Sequence, residues 1–129
     1  MHKGFLVTAS FIGALSVVLG AFGAHGLKKI VAPESLVTFE TAVRYQFYHV
    51  FALALTALVF ASGSPSLMKA AGFLFITGMV LFSGSLYLLT YKSAANIQGL
   101  SWVGPITPLG GSLLVAGWVC LALGLSKGA

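Results

Sequence analysis

The chain is 129 residues long, 58% hydrophobic and 7% charged, with a mean hydropathy of +1.01 and a formal net charge of +5. Soluble domains carry about a quarter of their residues as Asp, Glu, Lys and Arg, so this composition excludes an ordinary water-soluble enzyme. The basic residues are scattered and form no run longer than Lys28-Lys29, which excludes a nucleic-acid stripe or a polybasic lipid cluster, and the single cysteine, Cys120, excludes an internal disulfide.

Uncharged stretches set the expected architecture. Twenty-two uncharged residues separate Lys69 from Lys92, and 34 separate Lys92 from Lys127. A helix needs about 20 mostly apolar residues to cross a hydrocarbon layer. The expected fold is therefore an all-α membrane protein, a single domain over residues 1–129. It has four transmembrane helices in two hairpins, with both termini on the same side.

The first helix is expected over residues 5–27. Its apolar run exceeds the ~7–15 residues of a signal-peptide core, so it reads as a span. Ala9, Gly13, Ser16, Gly20 and Gly23 recur at steps of four and three, which puts small side chains on one face where another backbone can approach. The second helix is expected over 33–61. Pro33 suits a first turn because its missing N–H would be unpaired there, and Glu34 lies at the positive end of the helix dipole. This helix also carries Glu40, the lone arginine Arg44, and His49.

Gly63-Ser64-Pro65-Ser66 reads as a turn. The third helix follows over 67–91, with Tyr87 and Tyr91 near its far end, where amphipathic rings favour the interface. Residues 92–108 read as a polar loop on the membrane surface, anchored by Trp102. The fourth helix is expected over 109–125, with Gly110, Gly117 and Gly124 seven apart on a second close-approach face. Lys3, Lys69 and Lys127 fall on the terminal side, against Lys28, Lys29, Arg44 and Lys92 on the other. That balance tilts the termini away from the cytoplasm.

Few side chains can carry chemistry. Glu40 and Arg44 stand at the favourable i, i+4 spacing, either as a tuned proton-carrying carboxylate or as an ion pair at the membrane edge; their shallow position favours the pair. His49 lies deeper, on a face with Tyr45, Ala52 and Thr56, and must find a partner there. Tyr45 is the nearest candidate, and His25 is expected at a similar level across the first hairpin. Two histidines at one depth invite a metal, a bis-histidine haem or a proton relay. No further acid or cysteine completes a zinc shell, and structural hydrogen bonding is the favoured role. The glycines from Gly20 to Gly26 are no phosphate loop, since a spanning helix precedes them rather than a strand. Ser83 and Ser85 have no base beside them in sequence, and no catalytic residue is assigned.

Four segments, Gly20 to Leu27 (GAFGAHGL), Phe39 to His49 (FETAVRYQFYH), Phe82 to Tyr87 (FSGSLY) and Thr107 to Gly111 (TPLGG), resemble the YgdD/YwdK-like family of small multi-pass membrane proteins. The resemblance implies a four-helix protein of the bacterial inner membrane with a mitochondrial relative in animals. It draws attention to His25, Tyr45, Gln46 and His49 without giving them a role.

Three functional readings follow. The leading one is a non-enzymatic protein acting through helix association in the bilayer, as a homo-oligomer or as a subunit of another membrane protein, with no cofactor and no nucleic acid. The second is a solute, ion or proton carrier lined by His25, Glu40, Arg44, Tyr45, His49 and Tyr87. The third is a haem, quinone or lipid binder between His25 and His49.

Overall fold

The computed structural model describes residues 1–129 and is entirely helical, with four long helices and no strand: α1 (Lys3–Ala24), α2 (Pro33–Leu58), α3 (Pro65–Ala94) and α4 (Val103–Lys127). Short 3-10 turns follow α1 at Leu27–Lys29 and α2 at Phe60–Ser62. The segments Lys3–Lys29, Pro65–Ala94 and Val103–Lys127 are long and apolar enough to cross a membrane. Helix α2 falls outside that set because Arg44, Gln46 and His49 interrupt its apolar run.

Each helix packs on its neighbours in sequence, and the α3–α4 seam is the most extensive. Helix α1 lies antiparallel on α2, with Gly13 beside Val50, Gly20 beside Val43, and Gly23 beside Phe39. Helices α2 and α3 occupy the middle and contribute most of the buried residues. Leu53, Met68 and Phe75 are fully buried there, with Leu114 and Leu121 of α4 closing the cluster.

Backbone bonds fix the ends. The His2 N–H donates to the Ala57 carbonyl at 2.8 Å, and the Ser64 N–H donates to the Gly124 carbonyl at 2.9 Å. These bonds place both chain ends beside the α2–α3 link. At the far end the Ser35 hydroxyl donates to Ser93 at 2.8 Å, and Ser85 meets Thr107 at 2.6 Å.

The boundary between α3 and α4 departs from the sequence expectation. The segment 92–108 is not a long surface loop, because α3 continues to Ala94 and α4 begins at Val103 rather than at 109. Pro105 sits in the first turn of α4, where its missing N–H costs nothing. Pro108 lies inside the helix, and its carbonyl accepts the Ser112 hydroxyl at 2.8 Å. The short link turns through left-handed backbone at Asn96, Gly99 and Leu100.

Both small-residue faces are filled within the chain. A Cβ built on Gly110 would lie 2.8 Å from the Leu81 carbonyl carbon and from the Phe82 Cα, and one on Gly117 would lie 2.8 Å from the Phe75 ring. Gly124 packs against Leu67 and Met68 of α3 in the same way. What remains outside is bulky and apolar, including Phe11, Val18, Phe51, Phe73 and Val119. So continuous an exposed apolar surface belongs against lipid.

Candidate functional site

Two polar assemblies form on either side of the α2–α3 seam. On the α1 side Gln46, 4% exposed, clasps three helices. Its amide Nε2 donates to Ser16 Oγ at 2.7 Å, and its Oε1 accepts the Tyr87 hydroxyl at 2.6 Å. Ser16 in turn donates to the Ile12 carbonyl at 2.8 Å. Nearby the Ser83 hydroxyl donates to the Ala42 carbonyl at 2.7 Å. The groups satisfy one another, as burial requires. A small cavity of about 260 Å³ opens beside Gln46 and Tyr87.

The α4 side holds His49, 5% exposed. Its Nδ1 lies 2.7 Å from the Tyr45 carbonyl, and its Nε2 lies 3.1 Å from Trp118 Nε1. A carbonyl only accepts and an indole N–H only donates. The imidazole is therefore neutral, protonated on Nδ1, and accepts from Trp118 on Nε2. Phe75 packs on both rings, with centroids 5.8 Å from His49 and 5.3 Å from Trp118. The Tyr45 ring leans on Phe82 at 4.9 Å and on Tyr48 at 5.5 Å.

These rings wall a groove of about 670 Å³ between α2, α3 and α4. Tyr45 and Tyr48 form one wall, Phe82 contributes from α3, and Ser112, Val115 and Trp118 form the other wall; no charged side chain lines it. Helix α4 approaches closely enough to close the groove because glycines meet α3 along its inner face, leaving Trp118 to turn toward α2.

The candidate residues thus separate into three places. Tyr45 and His49 share the groove, Gln46 and Tyr87 share the clasp, and the others lie outside both. Tyr45 meets His49 through its backbone carbonyl rather than its hydroxyl. Glu40 and Arg44 are both exposed, and no ion pair joins them within 4.0 Å.

His25 does not reach the level of His49. It is exposed at the end of α1, with Nδ1 2.9 Å from its own helix's Ala21 carbonyl. His49 is level with Gly13, the residue beside Val50, so ~18 Å of helix separates the two histidines at 1.5 Å per residue. A haem bridged between them has no geometry here, and each imidazole already has a protein partner.

Trp118 is the residue that sequence reasoning missed. One signal was present: it lies mid-helix, far from the interface where tryptophan ordinarily anchors, and an indole N–H in hydrocarbon needs an acceptor.

Comparison with known proteins is consistent with this membrane architecture. Residues 19–111 match a family described as a protein of unknown function, DUF423; that segment includes Tyr45, Gln46, His49 and Tyr87 and stops short of Trp118. The chain is 37% identical over 126 residues to the UPF0382 membrane protein SSP2132 of Staphylococcus saprophyticus, covering 97% of this chain and 98% of that one. It is 37% identical over 127 residues to the UPF0382 membrane protein YwdK of Bacillus subtilis, with 97% and 98% covered. A UPF0382 membrane protein of Schizosaccharomyces pombe is 36% identical over 115 residues, covering 88% of this chain and 93% of the relative. No solved structure matches the chain.

Proposed function

The chain belongs to the DUF423 family, whose relatives above are named UPF0382 membrane proteins, and from that premise we propose that it binds a small lipid-soluble molecule without converting it. In this reading it is a four-span protein of the bacterial inner membrane with both termini on one side. The observation that carries the reading is the aromatic-walled groove of about 670 Å³ between α2, α3 and α4. Ligand sites are concave, mostly apolar clefts of about 300–1,000 Å³ with a few placed polar groups.

The crossing of α2 rests on how its polar groups are spent. Gln46 and His49 turn inward and are paired there, and Glu40 and Arg44 lie in the first half of the helix, toward the membrane edge. A helix of 26 residues is ~39 Å long at 1.5 Å per residue, enough to span with its polar start in the headgroups.

Other readings have less support. Oligomerisation through the glycine faces loses its motive, because both faces are filled within one chain; an accessory role would have to use other surfaces. A carrier needs polar groups free along a path, whereas the buried polar side-chain atoms of the clasp and the groove are all paired. Catalysis finds no nucleophile beside a base, and both ring nitrogens of His49 are engaged.

The test is native mass spectrometry of the protein released from its own membranes in mild detergent. We expect a co-purifying lipid-soluble species that is lost in Val115→Phe, which fills the groove from an exposed position. Identical spectra for the two proteins, with nothing bound beyond bulk lipid, would defeat the reading.

A further inference from the structure

We infer that the ligand of this groove is a neutral, flat-ringed carrier lipid of the quinone class: a ring bearing carbonyl oxygens on a hydrocarbon tail. The inference rests on the binding reading above and names the ligand's chemistry. Charge is the first argument. No charged side chain lines the groove, and an ionised group at membrane depth costs about 2.5–3.5 kcal/mol or more without a partner. An ionised headgroup is therefore a poor fit.

Hydrogen-bonding capacity is the second argument. Two of the polar groups that line the groove, the His49 imidazole and the Trp118 indole, satisfy each other. Tyr45 and Tyr48 line the space and make ring contacts, and neither phenol O–H has a partner within the protein. The Ser112 O–H is spent on Pro108. The groove therefore offers donors and asks its ligand for acceptors, as ring carbonyls provide.

Shape is the third argument. Tyr45, Tyr48, Phe82 and Trp118 present ring faces and edges from three helices, and aromatic surfaces favour offset or edge-on contact with a flat ring. Val115, 64% exposed, marks the side open to lipid, through which a hydrocarbon tail leaves. An acyl chain of a phospholipid would use neither the rings nor the phenols.

Fluorescence in lipid nanodiscs tests the class. The chain has two tryptophans, so a Trp102→Phe background leaves Trp118 as the sole reporter. A decyl-benzoquinone should quench it saturably, and Val115→Phe or Ser112→Leu should raise the half-quenching concentration about tenfold, a change worth 1.4 kcal/mol. Tyr45→Phe with Tyr48→Phe keeps the rings, removes both donors, and should weaken quenching severalfold.

Quenching that rises linearly with quinone content and ignores the groove variants would overturn the assignment. A phospholipid with brominated chains gives the second arm. If it quenches Trp118 and quinone does not displace it, the groove holds an acyl chain; the class is then wrong while the binding reading stands. If neither probe distinguishes the groove-filled variants from the parent, both fall.

Discussion

At the scale of single residues, the neutral form of His49 follows from what its partners can do. The Tyr45 carbonyl at 2.7 Å requires a proton on Nδ1, and the Trp118 indole at 3.1 Å requires a lone pair on Nε2. Interhelical hydrogen bonds in membranes average about 0.6 kcal/mol and reach about 1.7. His49→Leu and Trp118→Phe should each destabilise the fold, with a coupling of about 0.5–1.7 kcal/mol in the double-mutant cycle. Denaturation in mixed micelles reads it, and strict additivity would mean that the pair contributes nothing. Gln46 holds more partners. Gln46→Leu orphans both the Tyr87 hydroxyl and the Ser16 oxygen, and should cost about 1–3 kcal/mol. Tyr87→Phe removes only one bond and should cost less by the same measurement.

Between helices, backbone proximity decides. Gly110 and Gly111 are sequence neighbours, yet an added methyl meets different surroundings at each. At Gly110 it strikes the backbone of Leu81 and Phe82, which has no rotamer to yield; at Gly111 it lies 3.6 Å from the Phe82 ring, an ordinary contact. Gly110→Ala should therefore open the α3–α4 seam at a cost of about 1–3 kcal/mol. Gly111→Ala should be neutral or gain up to about 1 kcal/mol of helix propensity. Thermal unfolding of the two variants side by side checks the contrast, and equal stabilities would mean that the seam is looser than the structure has it. The seam also bears on the groove, since moving α4 away from α3 displaces Trp118 from His49. Gly110→Ala should accordingly shift Trp118 emission as well as stability.

For the whole molecule, topology is the open quantity. The bonds from His2 to Ala57 and from Ser64 to Gly124 gather both ends and the central link together, so the proposed four-span topology predicts Ser64 and Gly128 on one face of the membrane and Lys29 and Gln98 on the other. With Cys120→Ser as background, single cysteines at those positions should label with an impermeant maleimide in two groups, one from each side of sealed vesicles. Labelling of positions 29 and 64 from the same side would show that α2 does not cross. Alkaline carbonate should leave the protein in the membrane pellet.

The sequence by itself determined the solvent and the elements. Charge-free runs longer than a bilayer is thick leave few alternatives to spanning helices, and Pro33 and the Gly63–Ser66 turn marked where α2 and α3 begin. It misplaced the start of α4, because Pro105 and Pro108 look like loop residues, yet one is tolerated in a first turn and the other inside a helix. It also gathered the candidate residues of three helices into one site, which the structure divides. Gln46 and His49 are three residues apart and diverge by only ~60° around α2, yet Gln46 pairs with Ser16 of α1 and Tyr87 of α3 while His49 pairs with Trp118 of α4. Only the tertiary structure decided that Trp118, 69 positions away, completes the histidine's hydrogen bonding, that His25 stays at the rim, and that the glycine faces close on their own chain. Those outcomes depend on which helix lies beside which and at what register, and no local pattern encodes that.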